Sequence, residues 1–299
     1  MVTIQIYMTT FKLFDIVIFH YPCQDGLASA WTANYYHKQQ NKYLELYGIN
    51  IGQTINLDKL KDKNILFCDY APTNLNEIES VAKSIVILDH HKSNYDNLKD
   101  KKYAIFDMNK SGCVLTYEYF YDNDVPDFLK YIQDRDLWTW TLKNSRNFTD
   151  GLFAICQTYK LFDFNNLFTI FNDLYENKNY DLYLQLGEIT SKIHLHQTKS
   201  IYENHIKKVY RYDNYNVCIV NCPHGYASDV GSMLCENKNV DFAVLWRYNH
   251  PTGEYYVSLR SKNVDMIEIA KRFDQNGGGH KNAAGFTCNV APMILFCGF

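Results

Sequence analysis

Three short apolar runs in this sequence each end in side chains that can bind a metal ion or carry a proton. The runs cover residues 16–19, 65–68 and 85–88, and the polar residues at or just beyond their ends are His20, Asp25, Asp69, Asp89, His90 and His91. Short apolar, β-branched runs with polar boundaries indicate buried strands. Ligands of open α/β sheets bind beyond the carboxyl ends of the strands, so we expect these side chains to meet at one edge.

These side chains form the ligand set that several divalent ions prefer. Carboxylate oxygens and imidazole nitrogens together suit one or two ions such as Mn²⁺. The stretch Asp89-His90-His91 would be weak evidence by itself, but ligand residues at three strand ends predict one shared metal site.

The segments between the apolar runs have the pattern of helices. Residues 27–39 are rich in alanine and follow a loop punctuated by Pro22 and Gly26, and a second helix follows Pro72. A fourth short strand is predicted at residues 103–106. Strands that alternate with helices imply right-handed crossovers, so we predict an α/β fold with a doubly wound parallel sheet.

Helices dominate the middle of the sequence. Two are predicted at residues 113–121 and from residue 126 to about residue 134, and the aromatic-rich stretch 150–182 is helical without clear boundaries. The apolar spacing of residues 183–210 indicates one long helix, although Gly187 weakens the pattern near its start. We interpret this long helix as a connector between two domains.

The last third of the sequence returns to strands. They are predicted at residues 217–220, 242–246 and 255–259, and a helix at 264–272 leads into Gly277-Gly278-Gly279-His280. Glycines let a backbone approach a ligand closely and expose its N–H groups, as an anion cradle requires. A hairpin is the alternative interpretation of such a glycine-rich stretch.

Length and composition fit two domains. The chain has 299 residues, of which 46% are hydrophobic, and its net charge of −3 argues against a broad nucleic-acid-binding surface. The predicted parts are a catalytic metal-binding domain at residues 10–182, the connecting helix at 183–210 and a smaller C-terminal α/β domain at 211–299.

Cysteine usage and the N-terminal sequence bear on the compartment. The nine cysteines include no CxxC pair, so we expect reduced thiols. The first residues show no signal-peptide pattern, and no stretch is long and apolar enough to span a membrane. We therefore predict a soluble, cytoplasmic protein.

The order and spacing of these motifs resemble the DHH family of phosphoesterases, in which a C-terminal DHH-associated domain carries a GGGH loop. The matching positions run through nearly the whole chain: His20, Asp69, Asp89-His90-His91, Asp134-Arg135-Asp136-Leu137-Trp138 and Gly277-Gly278-Gly279-His280. The resemblance implies a metal-dependent hydrolase with its active site in the cleft between two domains.

The resemblance also implies roles for individual residues. Two Mn²⁺ or Mg²⁺ ions would be held, the first by His20, Cys23 and Asp69 and the second by Asp25, Asp69, His90 and Asp134. In the catalytic roles, Asp89 would orient an imidazole and His91 would lie near the substrate phosphate. Another phosphate or the sugar of the substrate would be bound by Arg260, Gly277, Gly278, Gly279 and His280.

Several of these assignments stay open. The family usually has an aspartate where this chain has Cys23, and a thiolate is a softer ligand that favours zinc over Mn²⁺. Cys23 is therefore either a ligand or a small residue beside the ions. Asp136 is the alternative to Asp134 as a ligand of the second ion. Trp138 and Trp140 are expected to pack in the core or between domains rather than to stack on bases.

The implied reaction is two-metal hydrolysis of phosphodiester bonds in short oligonucleotides or small nucleotides, as in a nuclease or oligoribonuclease. One alternative is a phosphatase or phosphodiesterase that acts on 3′,5′-bisphosphonucleotides or cyclic dinucleotides. The other is a non-catalytic nucleotide-binding protein whose metal site has decayed at Cys23. No membrane partner is expected, and the sequence leaves the oligomeric state open, a homodimer included.

Overall fold

The computed structural model describes residues 12–50, 53, 55–160, 162–205 and 208–298. It divides the chain into two compact units. The first unit runs to Thr190, except that His91–Ser93 group with the second unit, which otherwise begins at Ser191. The division therefore falls inside the predicted connecting helix. Residues 10 and 11, at the start of the predicted first domain, and Ile206 lie outside the described residues.

The first unit contains a five-stranded sheet in which every strand pairing is parallel. In the order β2-β1-β3-β4-β5, its strands are β1 (Ile16–His20), β2 (Glu45–Ile49), β3 (Asn64–Cys68), β4 (Ser84–Asp89) and β5 (Ala104–Phe106). The predicted doubly wound parallel sheet is confirmed. The half-buried edge strand β2 was not predicted, because its residues show neither a continuous apolar run nor a clear alternation.

Alternate residues of these strands enter two different cores. Ile16 and Ile18 belong to one cluster of buried residues, whereas Val17 and Phe19 belong to another. A sheet that is buried on both faces explains why β1, β3 and β4 read as nearly continuous apolar runs.

Eight α-helices lie in the first unit or begin there. They are α1 (Gln24–Gln39), α2 (Leu75–Val81), α3 (Tyr95–Leu98), α4 (Gly112–Phe120), α5 (Asp127–Asp136), α6 (Ser145–Cys156), α7 (Phe164–Asn177) and α8 (Asp181–His205). The predicted long helix is α8, whose described part runs to His205, whereas residues 208–210 are not helical. The prediction was wrong at that end, because Tyr210–Tyr212 pairs with the next strand.

No helix among the described residues combines the length and the apolar character needed to cross a bilayer.

The second unit is a smaller α/β domain around a six-stranded sheet of order β10-β11-β9-β8-β7-β6. The strands are β6 (Tyr210–Tyr212), β7 (Tyr215–Asn221), β8 (Phe242–Asn249), β9 (Glu254–Ser261), β10 (Gly278–His280) and β11 (Ala283–Cys288). Its helices are α9 (Ala227–Glu236), α10 (Met266–Lys271) and α11 (Pro292–Cys297). All nine cysteines lie in the described part of the chain, and none forms a disulfide.

The first unit contains a fully buried histidine, His37, in α1. Its Nε2 accepts a hydrogen bond of 2.8 Å from the backbone N–H of Phe14, and its Nδ1 lies 2.7 Å from the carbonyl oxygen of Ala33. These partners require a neutral ring with its proton on Nδ1. Burial accordingly lowers the pKa of His37 below its ordinary value of 6.5, against the smaller opposing effect of the contact with the carbonyl of Ala33.

This depressed pKa predicts a pH dependence of stability. Folding favours neutral His37, so its stabilising effect is complete above pH 6.5 and declines as the pH falls from there through the lowered pKa. His37→Leu should lower the free energy of unfolding at pH 8, because two buried backbone groups lose their partner. The difference from wild type should shrink at pH 5, as measured by urea unfolding at both pH values. A difference that grows at pH 5 would contradict this account.

Candidate metal centre in the first unit

The register of the first sheet brings three ligand residues level with one another. Phe19 of β1 pairs with Cys68 of β3, which in turn pairs with Leu88 of β4. The next residues along these strands are His20, Asp69 and Asp89. The backbone N–H of Asp69 also donates to the carbonyl of Leu88 at 2.9 Å. Three adjacent strand ends therefore present their polar side chains at the same edge of the sheet.

Asp69 lies at the centre of this group. Its Oδ1 is 3.1 Å from Nε2 of His90, and its Oδ2 is 3.6 Å from Nδ1 of His20. Nε2 of His90 is also 3.8 Å from Oδ2 of Asp25. Among the described residues of the first unit, two sets of three donor atoms, each within 4.8 Å of one another, share the Asp69 carboxylate: His20, Cys23 and Asp69, and Asp25, Asp69 and His90.

The buried Asp25 carboxylate is held by the start of α4. Its Oδ2 accepts a hydrogen bond of 2.6 Å from the N–H of Gly112, and its Oδ1 accepts one of 3.0 Å from the N–H of Cys113. The first N–H groups of a helix lack partners within the helix, and an acidic group satisfies them well. Asp25 itself lies in the first turn of α1, so the beginnings of two helices fix its position.

Two glycines make room for the cluster, and neither was predicted from the sequence to be a site residue. A Cβ atom at Gly112 would lie 2.5 Å from Cβ of Asp69 and 2.9 Å from Oδ2 of Asp25. One at Gly26 would lie 2.0 Å from the carbonyl oxygen of His20. Both helices therefore approach the strand ends only because they carry glycine there. The one available signal was the position of Gly112 at a predicted helix start.

The electrostatics of the cluster are those of crowded negative charge. Burial first, and then the charges of Asp69 and Asp136, raise the pKa of Asp25 to about 8. Burial alone would lower the pKa of His90, but the hydrogen bond to Asp69 and the surrounding carboxylates raise it to about 10. The site thus favours an added positive charge, which is what a divalent cation provides.

The acidic residue that α5 brings to this cluster is Asp136. Its Oδ2 lies 3.5 Å from Nε2 of His90. The Asp134 carboxylate lies elsewhere and accepts hydrogen bonds from the loop that follows the helix: from the hydroxyls of Thr139, Thr141 and Ser145 and from the N–H groups of Thr141 and Leu142. Burial opposes ionisation of Asp134, but these bonds outweigh it and lower its pKa to about 2. The expected ligand Asp134 therefore lies outside this cluster because its carboxylate is bound by the loop, whereas Asp136, the alternative, lies beside His90.

The remaining residues of the DHH motif have other contacts. Asp89 is fully buried; its Oδ1 accepts from the backbone N–H of His90 at 2.9 Å, and its Oδ2 accepts from the side-chain amide of Asn94 at 2.6 Å. These bonds fix the turn that follows β4. His91 belongs to the short segment that groups with the second unit, and its ring stacks on that of His280 with centroids 4.9 Å apart.

The second unit brings Arg260 and His280 to one face of its sheet. Arg260 in β9 and His280 in β10 are both directly opposite Ala283 of β11, and opposite residues of antiparallel strands share a face. The guanidinium of Arg260 donates to Oγ of Ser228 at 2.8 Å and to the carbonyl of Leu259 at 2.9 Å. Burial lowers the pKa of Arg260 only to about 10, so it stays cationic at neutral pH.

The glycine-rich stretch differs from the expected anion cradle. Gly278–His280 form the edge strand β10 of a hairpin, which is the alternative that the sequence left open. The N–H of Gly277 donates to the carbonyl of Asp274, and that of Gly279 donates to Oγ of Ser93. Gly279 has φ +133°, and a Cβ atom there would lie 2.5 Å from the carbonyl oxygen of Ala283. Glycine is therefore needed for the close pairing of this hairpin.

The donor atoms of the first unit fit divalent cations. Two carboxylates of the cluster, those of Asp25 and Asp69, are almost completely buried beside the imidazole of His90. Carboxylate and imidazole suit Mn²⁺ and similar ions, and the raised pKa of Asp25 shows the excess of negative charge that such ions neutralise. The first unit is thus an α/β domain with a candidate metal centre beyond the carboxyl ends of its parallel strands.

The chain is similar to several known proteins. Residues 214–292 match the model of the DHHA1 domain. Uncharacterized protein R106 of Acanthamoeba polyphaga mimivirus is 31% identical over 91% of this chain, which spans only 66% of that relative's length. An exopolyphosphatase-related protein from Bacteroides fragilis has a similar structure, with a TM-score of 0.54 and 16% identity over 91% of this chain and 86% of that one. A pGpG-specific phosphodiesterase from Vibrio cholerae gives a TM-score of 0.45 at 11% identity over 94% of both chains.

Residues 214–292 thus carry a DHHA1 domain, the C-terminal domain that the resemblance to the DHH phosphoesterases implies. The resemblance is confirmed for this part of the chain. The fold of the first unit, the order of the motifs and the DHHA1 match all agree with it.

Proposed function

We propose that this protein is a phosphoesterase dependent on two divalent metal ions, and that it hydrolyses phosphodiester bonds in short oligonucleotides or small nucleotides. The observation that carries the proposal is the Asp69 carboxylate, which two sets of potential ligands share. His20, Cys23 and Asp69 would hold one ion. Asp25, Asp69, His90 and Asp136 would hold the other. Mn²⁺ is the expected ion and Mg²⁺ the alternative.

Two divalent ions, when bound, neutralise phosphoryl oxygens and lower the pKa of a water nucleophile. The protein itself holds the metal-binding side chains in fixed positions. Asp69 is fixed in a left-handed turn with φ 54° at the end of β3, and Asp25 is fixed by the N–H groups of α4. Ligands that do not have to reorganise stabilise developing charge more effectively than mobile ones.

The substrate class follows from the second unit and from the overall charge. Arg260 and His280 share one sheet face, with the small side chain of Ala283 between them, which suits a second phosphate or a sugar. A net charge of −3 provides no broad track for a long nucleic acid. We therefore favour a substrate of a few nucleotides over a polymer.

The direct test is an activity screen with Mn²⁺. Di- to pentanucleotides, 3′,5′-bisphosphonucleotides, cyclic dinucleotides and inorganic tripolyphosphate would be compared, with an Asp69→Asn preparation as the control for contaminating nucleases. We expect the short oligonucleotides to be hydrolysed fastest. Tight nucleotide binding without turnover would instead identify a non-catalytic binding protein, and turnover of tripolyphosphate alone would exclude nucleotides as the substrate class.

The proposed role of Cys23 can be tested by restoring a carboxylate. Cys23→Asp should raise the affinity for Mn²⁺ on the order of tenfold and reduce inhibition by zinc, because a carboxylate suits the harder ion. The measurement is a Mn²⁺ titration of the metal-free protein, followed by activity in the presence of Zn²⁺. An unchanged titration curve would place Cys23 outside the coordination sphere.

A further inference from the structure

Two tryptophans occupy the loop that follows α5. Trp138 and Trp140 are partly buried, and their rings pack edge to face with centroids 5.0 Å apart. Neither belongs to the hydrophobic clusters found among the described residues, whereas Trp31 is 1% exposed and lies in the main core of the first unit. Of the two expectations for these indoles, packing in the core or between domains, the first is therefore not met within this unit.

The backbone conformation of both residues is unfavourable for a bulky side chain. Trp138 has φ 58° and Trp140 has φ 51°, both in the left-handed region. Trp138 directly follows Leu137, the C-terminal cap of α5, at the position where helices commonly carry glycine. A large side chain that occupies a glycine position indicates a role that folding alone does not require.

The loop is nevertheless held firmly. The Asp134 carboxylate accepts hydrogen bonds from Oγ1 of Thr139 at 2.6 Å, from the N–H of Thr141 at 2.8 Å and from the N–H of Leu142 at 3.1 Å. These bonds flank Trp140 on both sides in the sequence. The strained conformation is thus fixed by a buried carboxylate, as is typical of residues that are positioned for a ligand.

The loop begins beside the candidate metal centre. Asp136, two residues before Trp138, lies 3.5 Å from His90 through its carboxylate oxygen. The guanidinium of Arg146 lies over the ring of Trp140, 4.9 Å from its centroid. Trp140 is therefore supported on one face by a cation, and its ring packs edge to face with that of Trp138.

We infer that Trp138 and Trp140 form a platform on which a nucleobase of the substrate stacks. This inference rests on the proposed function and deepens it, because it restricts the substrate class to molecules that carry a base. Stacking on an aromatic side chain tolerates any base, so the platform adds affinity without sequence preference. Inorganic polyphosphates would gain nothing from it.

The test uses Trp138→Gly, which removes the indole and relieves the backbone strain. The matched control is Asn144→Gly in the same loop, where φ is 72° and the side chain caps no helix N–H. Trp138→Phe keeps an aromatic ring. For each protein we would measure the melting temperature, the dissociation constants with Mn²⁺ for a non-hydrolysable 5′-phosphorylated dinucleotide and for its analogue with abasic sugars, and then kcat/KM for the hydrolysable dinucleotide.

We expect Trp138→Gly to melt at or above the wild-type temperature, to bind the dinucleotide roughly 10- to 100-fold more weakly and to bind the abasic analogue as wild type does. Asn144→Gly should leave both affinities unchanged, and Trp138→Phe should retain most of the dinucleotide affinity. A lower melting temperature with unchanged affinities would show that Trp138 is only structural. Equal losses for both ligands would show that no base is recognised there.

Failure of the platform can be distinguished from failure of the proposed function. If wild type cleaves dinucleotides and Trp138→Gly binds both ligands with the same dissociation constants as wild type, the platform alone is refuted. If wild type neither binds nor cleaves any nucleotide but hydrolyses tripolyphosphate, the proposed substrate class is refuted and the platform with it.

Discussion

Replacing Asp69 with asparagine is expected to remove both metal ions and to lower kcat/KM on the preferred substrate by on the order of a thousandfold, about 4 kcal/mol of transition-state stabilisation. The reason is that its carboxylate belongs to both sets of potential ligands, so one substitution weakens two coordination spheres. The measurement is the metal content after dialysis against Mn²⁺, determined by elemental analysis, together with steady-state kinetics.

The metal-free form of the Asp69→Asn variant provides the control for folding. Asp69 raises the pKa of the neighbouring Asp25 because the two buried carboxylates repel each other. Asp69 also attracts the protonated ring of His90, so the two effects of removing its charge oppose each other, and the melting temperature of the metal-free protein should stay close to that of wild type. Two bound ions and near-normal hydrolysis in Asp69→Asn would refute the bridging role.

Replacing Asp134 with asparagine should reduce stability, whereas replacing Asp136 with asparagine should reduce metal affinity. Asp134→Asn should reduce the free energy of unfolding by about 3 kcal/mol, because the buried carboxylate accepts bonds from several donors that an amide cannot all satisfy. Asp136→Asn should change stability by no more than about 0.5 kcal/mol, since Asp136 is partly exposed. Its affinity for the second ion should fall, on the order of a hundredfold.

Urea unfolding of the metal-free proteins and Mn²⁺ titration at 10 °C would separate the two effects. The low temperature keeps the less stable Asp134→Asn variant folded during the titration. Normal Mn²⁺ affinity in Asp136→Asn, combined with weak affinity and normal stability in Asp134→Asn, would return the ligand role to Asp134.

The choice between these two residues shows what a single sequence can and cannot predict. Phe128, Ile132 and Asp136 recur every four residues in α5, so helical spacing places Asp136 on the buried stripe. That signal was present and pointed to the residue that lies near His90. The burial of Asp134 depends on the loop from Thr139 to Ser145 folding back onto it, and no local pattern encodes that contact.

The strand ends were predictable because parallel sheets have a simple rule for where ligands lie. Continuous apolar runs identified β1, β3 and β4, and their polar ends identified His20, Asp69 and His90. The glycine-rich stretch was less informative, because a run of glycines suits both an open loop and a close strand pairing. Only the register of Gly278 opposite Gly285 shows that this stretch is an edge strand.

A centre of two metal ions that share Asp69 would be visible by anomalous X-ray diffraction from crystals soaked in Mn²⁺. We expect two manganese peaks roughly 3.5–4 Å apart, one on each side of the Asp69 carboxylate. His20 should contact the first, and Asp25, His90 and Asp136 should contact the second. A single peak that Asp69 does not contact, or no peak at this edge of the sheet, would contradict the account.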